Sequence, residues 1–358
     1  MELGLVGRTN AGKTALFNLI TGSTAEVAPY PFTTREALRG RAEVPDPRID
    51  AIADIQDIPR RVRAQVQVVD IPGLAAGAGQ GEGLGGKALG ELRQMDALIH
   101  VVRSFANNEV AHPEDAINPL GDAEAIDIEL LLADREQIER RLEKVRKSAK
   151  SGDATAKGEQ GLLELLVTEI DQGNPLRIVG DAEALALGIG MGLLTAKPVL
   201  YVINSDDPGE PLPELVAYAT SRDAHVSQLA VGTELELAQL SPEDAAELAQ
   251  EMELGDVRGA DAMVRAAYEL LDLVTFFTGS GPPEARAWPI QRGLSADKAA
   301  GKIHSDMERG FIRAEVVAWD ALVAAGSFSK ARESAQVRME GKDYIVQEGD
   351  VMQIRFAV

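Results

Sequence analysis

Residues Gly7-Arg8-Thr9-Asn10-Ala11-Gly12-Lys13-Thr14 read as glycine, four residues, then Gly-Lys-Thr, the pattern of a phosphate-binding loop. Before it, Leu3-Gly4-Leu5-Val6 is short and apolar enough for a buried strand. After it, Ala15-Leu16-Phe17-Asn18-Leu19-Ile20 has the apolar spacing of a helix. A strand, a glycine loop and a helix in that order commit the chain to an α/β core of the P-loop type. The loop can wrap so tightly that main-chain N–H groups and the helix N-terminus aim at phosphate oxygens. Asn10, Ala11, Gly12, Lys13, Thr14 and Ala15 are the expected contacts to a nucleoside triphosphate. Lys13 is expected to reach its β- and γ-phosphates, and the Thr14 hydroxyl to sit on Mg2+.

Three further strands are readable: Val66-Gln67-Val68-Val69-Asp70, Ala97-Leu98-Ile99-His100-Val101-Val102 and Pro198-Val199-Leu200-Tyr201-Val202-Ile203-Asn204. Helical stretches separate them, which predicts a parallel sheet with its ligand at the carboxyl ends of the strands. Asp70 and Asn204 end two of these strands. Asp70 opens Asp-Ile-Pro-Gly-Leu, in which the carboxylate is expected to hold the Mg2+ shell and the Gly73 N–H to sense the γ-phosphate. Gly73, Gly77, Gly79, Gly81, Gly83, Gly85 and Gly86 crowd the stretch that follows, as expected of a switch loop. Pro29-Tyr30-Pro31-Phe32-Thr33-Thr34 lies where the other switch belongs, and Thr34, or Thr33 beside it, is expected to offer a hydroxyl to Mg2+.

Base recognition is assigned to Asn204-Ser205-Asp206-Asp207. Asn204 and Asp207 stand in register with the Asn-Lys-x-Asp motif of guanine-specific GTPases, whose carboxylate accepts the paired guanine donors. Ser205 replaces the lysine that covers the base, so the guanine signal is incomplete. Val226-Ser227-Gln228-Leu229 is the candidate second base loop. For catalysis, Leu74 stands where small GTPases carry the glutamine that orients water, and Leu cannot hydrogen-bond. Intrinsic turnover is therefore expected to be slow, or a polar group must come from elsewhere. Asn10 is a candidate for recruiting a monovalent cation, K+, that adds positive charge. His112, in a polar loop after a sheet strand, is the candidate catalytic side chain, against the alternative of an ordinary surface histidine. His100 lies inside a strand and reads as core.

The net charge of −21 argues at first against a nucleic-acid partner. Its distribution qualifies that: residues 1–105 hold 12 Lys+Arg and 12 Asp+Glu, and 275–358 hold 11 of each. The segment 106–274, with 13 against 34, carries the whole excess, so an RNA-facing surface at either end is not excluded. There is no cysteine, which removes disulfides and thiolate metal sites. No apolar run is long enough to cross a bilayer, and the first residues read as a core strand rather than a signal peptide. A cytoplasmic, monomeric protein without a membrane partner is expected.

Leu131, Ile138 and Val145 recur every seven residues, joined by Leu142, among Arg, Glu and Lys. Gly152-Asp153 interrupts the run, and Leu162, Leu163, Leu165, Leu166 and Ile170 start a second apolar face. This predicts an antiparallel helical hairpin over 121–180, with its charges read as a solvated face. From 275 onward, Trp288-Pro289-Ile290, Ala314 to Trp319, Tyr344-Ile345-Val346 and Val351 to Phe356 are strand candidates, with a short helix at Lys298 to His304. The expected layout is an α/β nucleotide-binding domain over 1–120 and 181–274, the hairpin over 121–180, and an α+β domain over 275–358.

With these residues assembled, the chain resembles the YchF subfamily of Obg-related P-loop GTPases over nearly its full length. The resemblance rests on the phosphate loop, Tyr30-Pro31-Phe32-Thr33-Thr34, Pro45-Asp46-Pro47-Arg48, and Gly79-Gln80-Gly81-Glu82-Gly83-Leu84-Gly85. It extends to Glu129-Leu130-Leu131-Leu132-Ala133-Asp134 and, in the tail, to Ala299-Ala300-Gly301-Lys302-Ile303-His304-Ser305-Asp306 and Glu308-Arg309-Gly310-Phe311. It implies a G domain, an inserted coiled-coil hairpin and a C-terminal β-grasp (TGS) domain that contacts RNA. It also implies a ribosome-associated hydrolase that favours ATP or accepts both ATP and GTP. The family carries an apolar residue at Leu74 and a loop histidine at His112. Its base motif ends in Glu where this chain has Asp207, and Ala is usual at Pro72. The alternative is a non-hydrolysing nucleotide sensor that binds a protein partner through the TGS domain and hairpin. A metabolic kinase would need an acceptor site for which no residues stand out.

Overall fold

The computed structural model describes residues 1–25, 37–71, 86–106, 117–206, 209–252, 254, 259–279 and 283–357. In chain order the elements begin with β1 (Glu2–Val6), α1 (Lys13–Thr21), β2 (Leu38–Glu43), α2 (Arg48–Asp54), β3 (Arg60–Val62) and β4 (Gln65–Asp70). They continue with α3 (Gly86–Gln94), β5 (Ala97–Ser104), α4 (Pro119–Lys150), α5 (Ala154–Asp171), α6 (Ala182–Gly190), β6 (Val199–Ser205) and α7 (Pro213–Thr220). Next come β7 (His225–Leu229), α8 (Val231–Leu237), α9 (Pro242–Glu251), α10 (Gly259–Leu270), β8 (Leu273–Thr278) and β9 (Glu284–Gln291). The run closes with α11 (Ala296–Ile303), α12 (Ser305–Arg309), β10 (Phe311–Ala318), α13 (Trp319–Ala325), α14 (Phe328–Glu333), β11 (Arg338–Glu340) and β12 (Asp350–Phe356). They divide into two compact units, Met1–Ala42 with Gln67–Ala267, and Glu43–Val66 with Tyr268–Val358.

The first unit is built on a sheet of order β2-β4-β1-β5-β6-β7. From β4 to β7 each neighbouring pair is parallel. The continuous apolar runs seen in the sequence follow from this arrangement: Ala97 to Arg103 of β5 are all buried, as in parallel strands covered on both faces. Because β1, β4 and β6 run the same way, Val6, Asp70 and Asn204 finish at one edge of the sheet. The predicted second base loop, Val226 to Leu229, is instead part of β7, the edge strand, which pairs in parallel with β6 from Leu200–His225 to Asn204–Leu229.

The hairpin appears as α4 and α5. Asn118 caps α4 by accepting from the Gly121 N–H, with Pro119 at the first helical position. Asp153 caps α5 by accepting from the Thr155 and Ala156 N–H groups at 2.9 and 3.2 Å. The predicted stripe, Leu131, Ile138, Leu142 and Val145, is buried against Leu163, Leu166 and Ile170. Among the described residues no helix is long and apolar enough to cross a membrane.

The second unit holds a mixed sheet of order β11-β10-β12-β8-β9-β3, with α11 packing Ala296 and Ala299 against Val274, Phe276, Ala314 and Val316. Its last strand comes from far upstream: β3 runs parallel to β9, pairing Arg60 with Glu284 and Val62 with Arg286. The 43–66 segment, grouped with the nucleotide-binding domain in the sequence reading, packs within this unit. Arg48 holds it there, chelating Asp46 with two 2.8 Å bonds, pairing with Glu348 and lying 5.3 Å over the Phe277 ring. Tyr344-Ile345-Val346, read as a strand, forms only an isolated bridge from Ile345 to Ser295. The Tyr344 hydroxyl and the Gln347 N–H both donate to Asp350 at 2.8 and 2.9 Å, turning the chain before β12.

Candidate nucleotide-binding site

The loop between β1 and α1 has a backbone that side chains would disrupt. Gly7 has φ +151°, and a Cβ there would overlap the Val101 carbonyl oxygen of β5. Gly12 has φ +94°, and its Cβ would strike the Asn204 side chain. Gly12 also caps α1 without contributing a side chain, and the first turn carries no acidic residue. The helix N-terminus thus keeps its positive end uncompensated by any carboxylate of its own, a setting that favours an anion.

Lys13 is buried, and its ammonium donates to the Gly7 and Arg8 carbonyls at 2.9 and 2.7 Å. Burial lowers its pKa from 10.5 to about 8, with the Asp70 charge acting in the opposite direction. Asp70 is buried too, at the end of β4 beside Leu5 of β1. Desolvation raises its pKa, while the Thr14 hydrogen bond and the Lys13 charge oppose the rise. The Thr14 hydroxyl donates to Asp70 Oδ2 at 2.6 Å. This hydroxyl–carboxylate pair suits a hard, oxygen-seeking cation such as Mg2+ sharing its remaining ligands with phosphate and water. Among the described residues no group of three or more His, Cys, Asp or Glu could hold a metal by itself. A cation here would depend on the phosphate for its shell.

Asn204 reaches the same loop from β6. Its Nδ2 donates to the Ala11 carbonyl at 3.1 Å, so it braces the loop. Lys13, Thr14, Asp70, Ala11, Gly12 and Asn204 are therefore brought together, with Ala15 in the first turn of α1 and Asn10 at φ +62° before Ala11. Thr34, Gly73, His112 and Asp207 lie outside the described residues, as do Thr33, Pro72 and Leu74. His100 is core as expected, buried 5.0 Å from the Tyr201 ring.

Several charged residues around the site went unread in the sequence. Arg8 Nη1 donates to Asp122 Oδ1 of α4 at 3.0 Å, both side chains being largely buried. Arg103 is buried at the end of β5, its guanidinium 4.5 Å over the Phe105 ring. Asp206 accepts the Ala106 N–H at 2.9 Å and so joins the ends of β6 and β5. Arg8 occupies one of the variable positions of the loop pattern, where only the tertiary partner reveals a role.

Comparison with known proteins decides the family. The Haemophilus influenzae protein named Ribosome-binding ATPase YchF is 41% identical over 100% of this chain and 99% of its own length. The chain belongs to the YchF family. The Bacillus subtilis YchF of the same name is 40% identical over the whole of both chains, and the rice Obg-like ATPase 1 is 34% identical over 100% of this chain and 92% of its own. The solved structure of the Schizosaccharomyces pombe YchF GTPase superposes with a TM-score of 0.86 at 29% identity, covering 99% of this chain and 97% of that one. A family model described as 50S ribosome-binding GTPase matches residues 2–149. The model for the C-terminal region of YchF GTPases, described as a protein of unknown function, matches residues 273–357. The phosphate loop, Asp70 and the start of the hairpin thus fall in the GTPase-matched part of the chain, and β8 to β12 in the other.

Proposed function

We propose that this protein is a Mg2+-dependent nucleoside triphosphatase that switches its association with the ribosome according to the nucleotide it holds. The observation that carries the reading is the convergence of Lys13, Thr14 and Asp70 beneath an α1 N-terminus free of side-chain caps. Lys13 would exchange its carbonyl partners for phosphate oxygens, and α1 N–H groups would bind the anion. Thr14 and Asp70 would hold Mg2+, with Thr34 added from the first switch segment. When bound, Mg2+ neutralises developing charge on the phosphates. Gly73 would contact the γ-phosphate, and His112 would take the place of the missing glutamine. The names of the relatives support the ribosome as partner, and with it a cytoplasmic site of action. They also support ATP as substrate, whereas Asp207 keeps GTP as the alternative.

Single-turnover hydrolysis of ATP and GTP, with and without ribosomes, tests the reading. Wild type should cleave at least one triphosphate faster with ribosomes, Lys13→Ala should bind neither, and His112→Ala should bind but cleave slowly. Asp207→Ala should shift the ATP-to-GTP affinity ratio. Leu74 favours a second reading, a non-hydrolysing sensor for a protein partner. Tight nucleotide binding with no turnover and no sedimentation with ribosomes would establish that reading instead. A requirement for K+ over Na+ would assign Asn10 its cation.

A further inference from the structure

The first half of α4 is fastened to the nucleotide site by buried carboxylates rather than by apolar packing alone. Asp122, Asp127 and Asp134 are 3%, 8% and 0% exposed. Each engages a different element. Asp122 accepts from Arg8, the second residue of the phosphate loop, at 3.0 Å. The Arg8 carbonyl in turn accepts from Lys13 at 2.7 Å. Any anion that recruits the Lys13 ammonium therefore alters the residue that Asp122 holds.

Asp127 Oδ2 accepts from the Tyr201 and Tyr218 hydroxyls at 2.6 and 2.8 Å. Tyr201 lies on β6, three residues before the Asn204 that braces Ala11. Asp134 accepts from the Leu194 and Thr195 N–H groups at 2.9 and 2.7 Å, from the Thr195 hydroxyl at 2.8 Å and from Arg93 at 3.2 Å. Arg93 also donates to the Ala133 carbonyl at 3.1 Å, and it stands at the end of α3, the helix entered directly from the glycine-rich stretch. Phosphate loop, base strand and switch helix thus meet on one helix, and that helix continues into the hairpin.

We propose that α4 is the output lever of the nucleotide site: Arg8–Asp122 and Arg93–Asp134 convert ligand binding into a displacement of the α4–α5 hairpin. The proposal rests on the nucleotide reading above. The 32 residues of α4 span about 48 Å at 1.5 Å per residue. The part beyond Asp134 is about 24 Å long, and from Asp122 to the tip is about 42 Å. A rotation of about 5° at the base would carry the tip roughly 2–4 Å, the size of change expected of a packed element with two arrangements.

The absence of cysteine allows clean paired labelling. Spin labels at exposed Ser151→Cys, at the hairpin tip, and exposed Ala238→Cys, after α8, report the distance by double electron–electron resonance. It is measured without nucleotide and with Mg2+ plus a non-hydrolysable ATP or GTP analogue. Wild type should shift by about 2–4 Å on binding. Arg93→Met and, independently, Asp122→Asn should bind the analogue within about threefold of wild type and lose most of the shift. Melting curves confirm folding, and either variant suffices should the other not fold. Binding without displacement in wild type, or a full displacement in both variants, overturns the lever while leaving the nucleotide reading intact. Failure of wild type to bind either analogue overturns that reading and the lever with it.

Discussion

If Lys13 binds phosphate as proposed, nucleotide affinity becomes a function of pH, and the burial of this side chain sets the window. The residue is 7% exposed, and burial lowers its pKa from 10.5 to about 8. A bound polyphosphate adds negative charge beside it and draws the pKa back up. Above about pH 8 the free protein has lost this proton, so binding must recover one, and affinity falls by up to about tenfold per pH unit. At about pH 9 some nine in ten free molecules carry a neutral Lys13, and Kd should be roughly tenfold weaker than at about pH 7. Below about pH 7 the group is charged with or without ligand and contributes no slope. The ligand does not confuse the result, because the second ionisation of a phosphate lies near about 6.

Calorimetric titration in buffers of different ionisation enthalpy, at fixed ionic strength and Mg2+, measures both Kd and proton uptake. Uptake should approach about one proton at about pH 9. In Lys13→Arg the guanidinium keeps its charge, so the slope should vanish even where absolute affinity drops. A wild-type affinity that holds constant to about pH 10, or the same slope in Lys13→Arg, would refute the argument. Stability should move the other way. The unfolded chain holds this proton to 10.5 while the folded one releases it at about 8, so between those values Lys13 makes the fold more stable as pH rises.

Gly7→Ala should cost about 1–3 kcal/mol in thermal denaturation and weaken nucleotide binding at least tenfold, because a Cβ at φ +151° overlaps the Val101 carbonyl; wild-type affinity would show that the loop relaxes freely. Asn204→Ala should weaken binding several-fold, about 0.5–1.5 kcal/mol for one lost bond to Ala11, read by fluorescent-nucleotide titration. Asp134→Ala should destabilise by about 3–5 kcal/mol in urea, since it takes the carboxylate from Arg93 and leaves the Leu194 and Thr195 N–H groups and the Thr195 hydroxyl without their buried acceptor; a loss under about 1 kcal/mol would mean water replaces it.

The convergence of the candidate site residues was legible where chemistry is encoded locally. Gly7 to Thr14 constrain one loop, and Asp70 and Asn204 end apolar runs, so a parallel sheet brings all of them to one edge. The 43–66 excursion was not legible as part of the second unit. Its attachment is a pairing of Arg60–Val62 with a strand more than two hundred residues later, together with the Arg48–Glu348 ion pair. Neither leaves a periodic trace. Tyr344-Ile345-Val346 carries a β-type composition, yet its backbone is committed by Asp350, which accepts from the Tyr344 hydroxyl and the Gln347 N–H. Composition reports what a segment can do, and a buried acceptor elsewhere decides what it does.

The helix α4 shows most clearly why one pattern can conceal two jobs. Beyond Asp134 its charges behave as the sequence suggests. Arg135 pairs with Asp171, Arg141 with Glu159 and Arg146 with Glu164, all across exposed surface where each pair contributes about 0–1 kcal/mol. The hairpin is held by the stripe of Leu131, Ile138, Leu142 and Val145, which the seven-residue spacing announces. Before Asp134 the same residue type does something different. Asp122, Asp127 and Asp134 resemble Glu124, Glu129 and Glu136 in charge, but they face donors from the phosphate loop, β6 and α3. Those donors pass unnoticed in the linear pattern, because a carboxylate on a charged helix is read as solvated until a partner is brought to it. The heptad stripe therefore specifies that a hairpin exists, while the buried carboxylates specify what it is attached to. Lengthening the hairpin symmetrically beyond Asp134 should leave nucleotide affinity unchanged, whereas a single neutralised carboxylate before it should not leave the coupling unchanged.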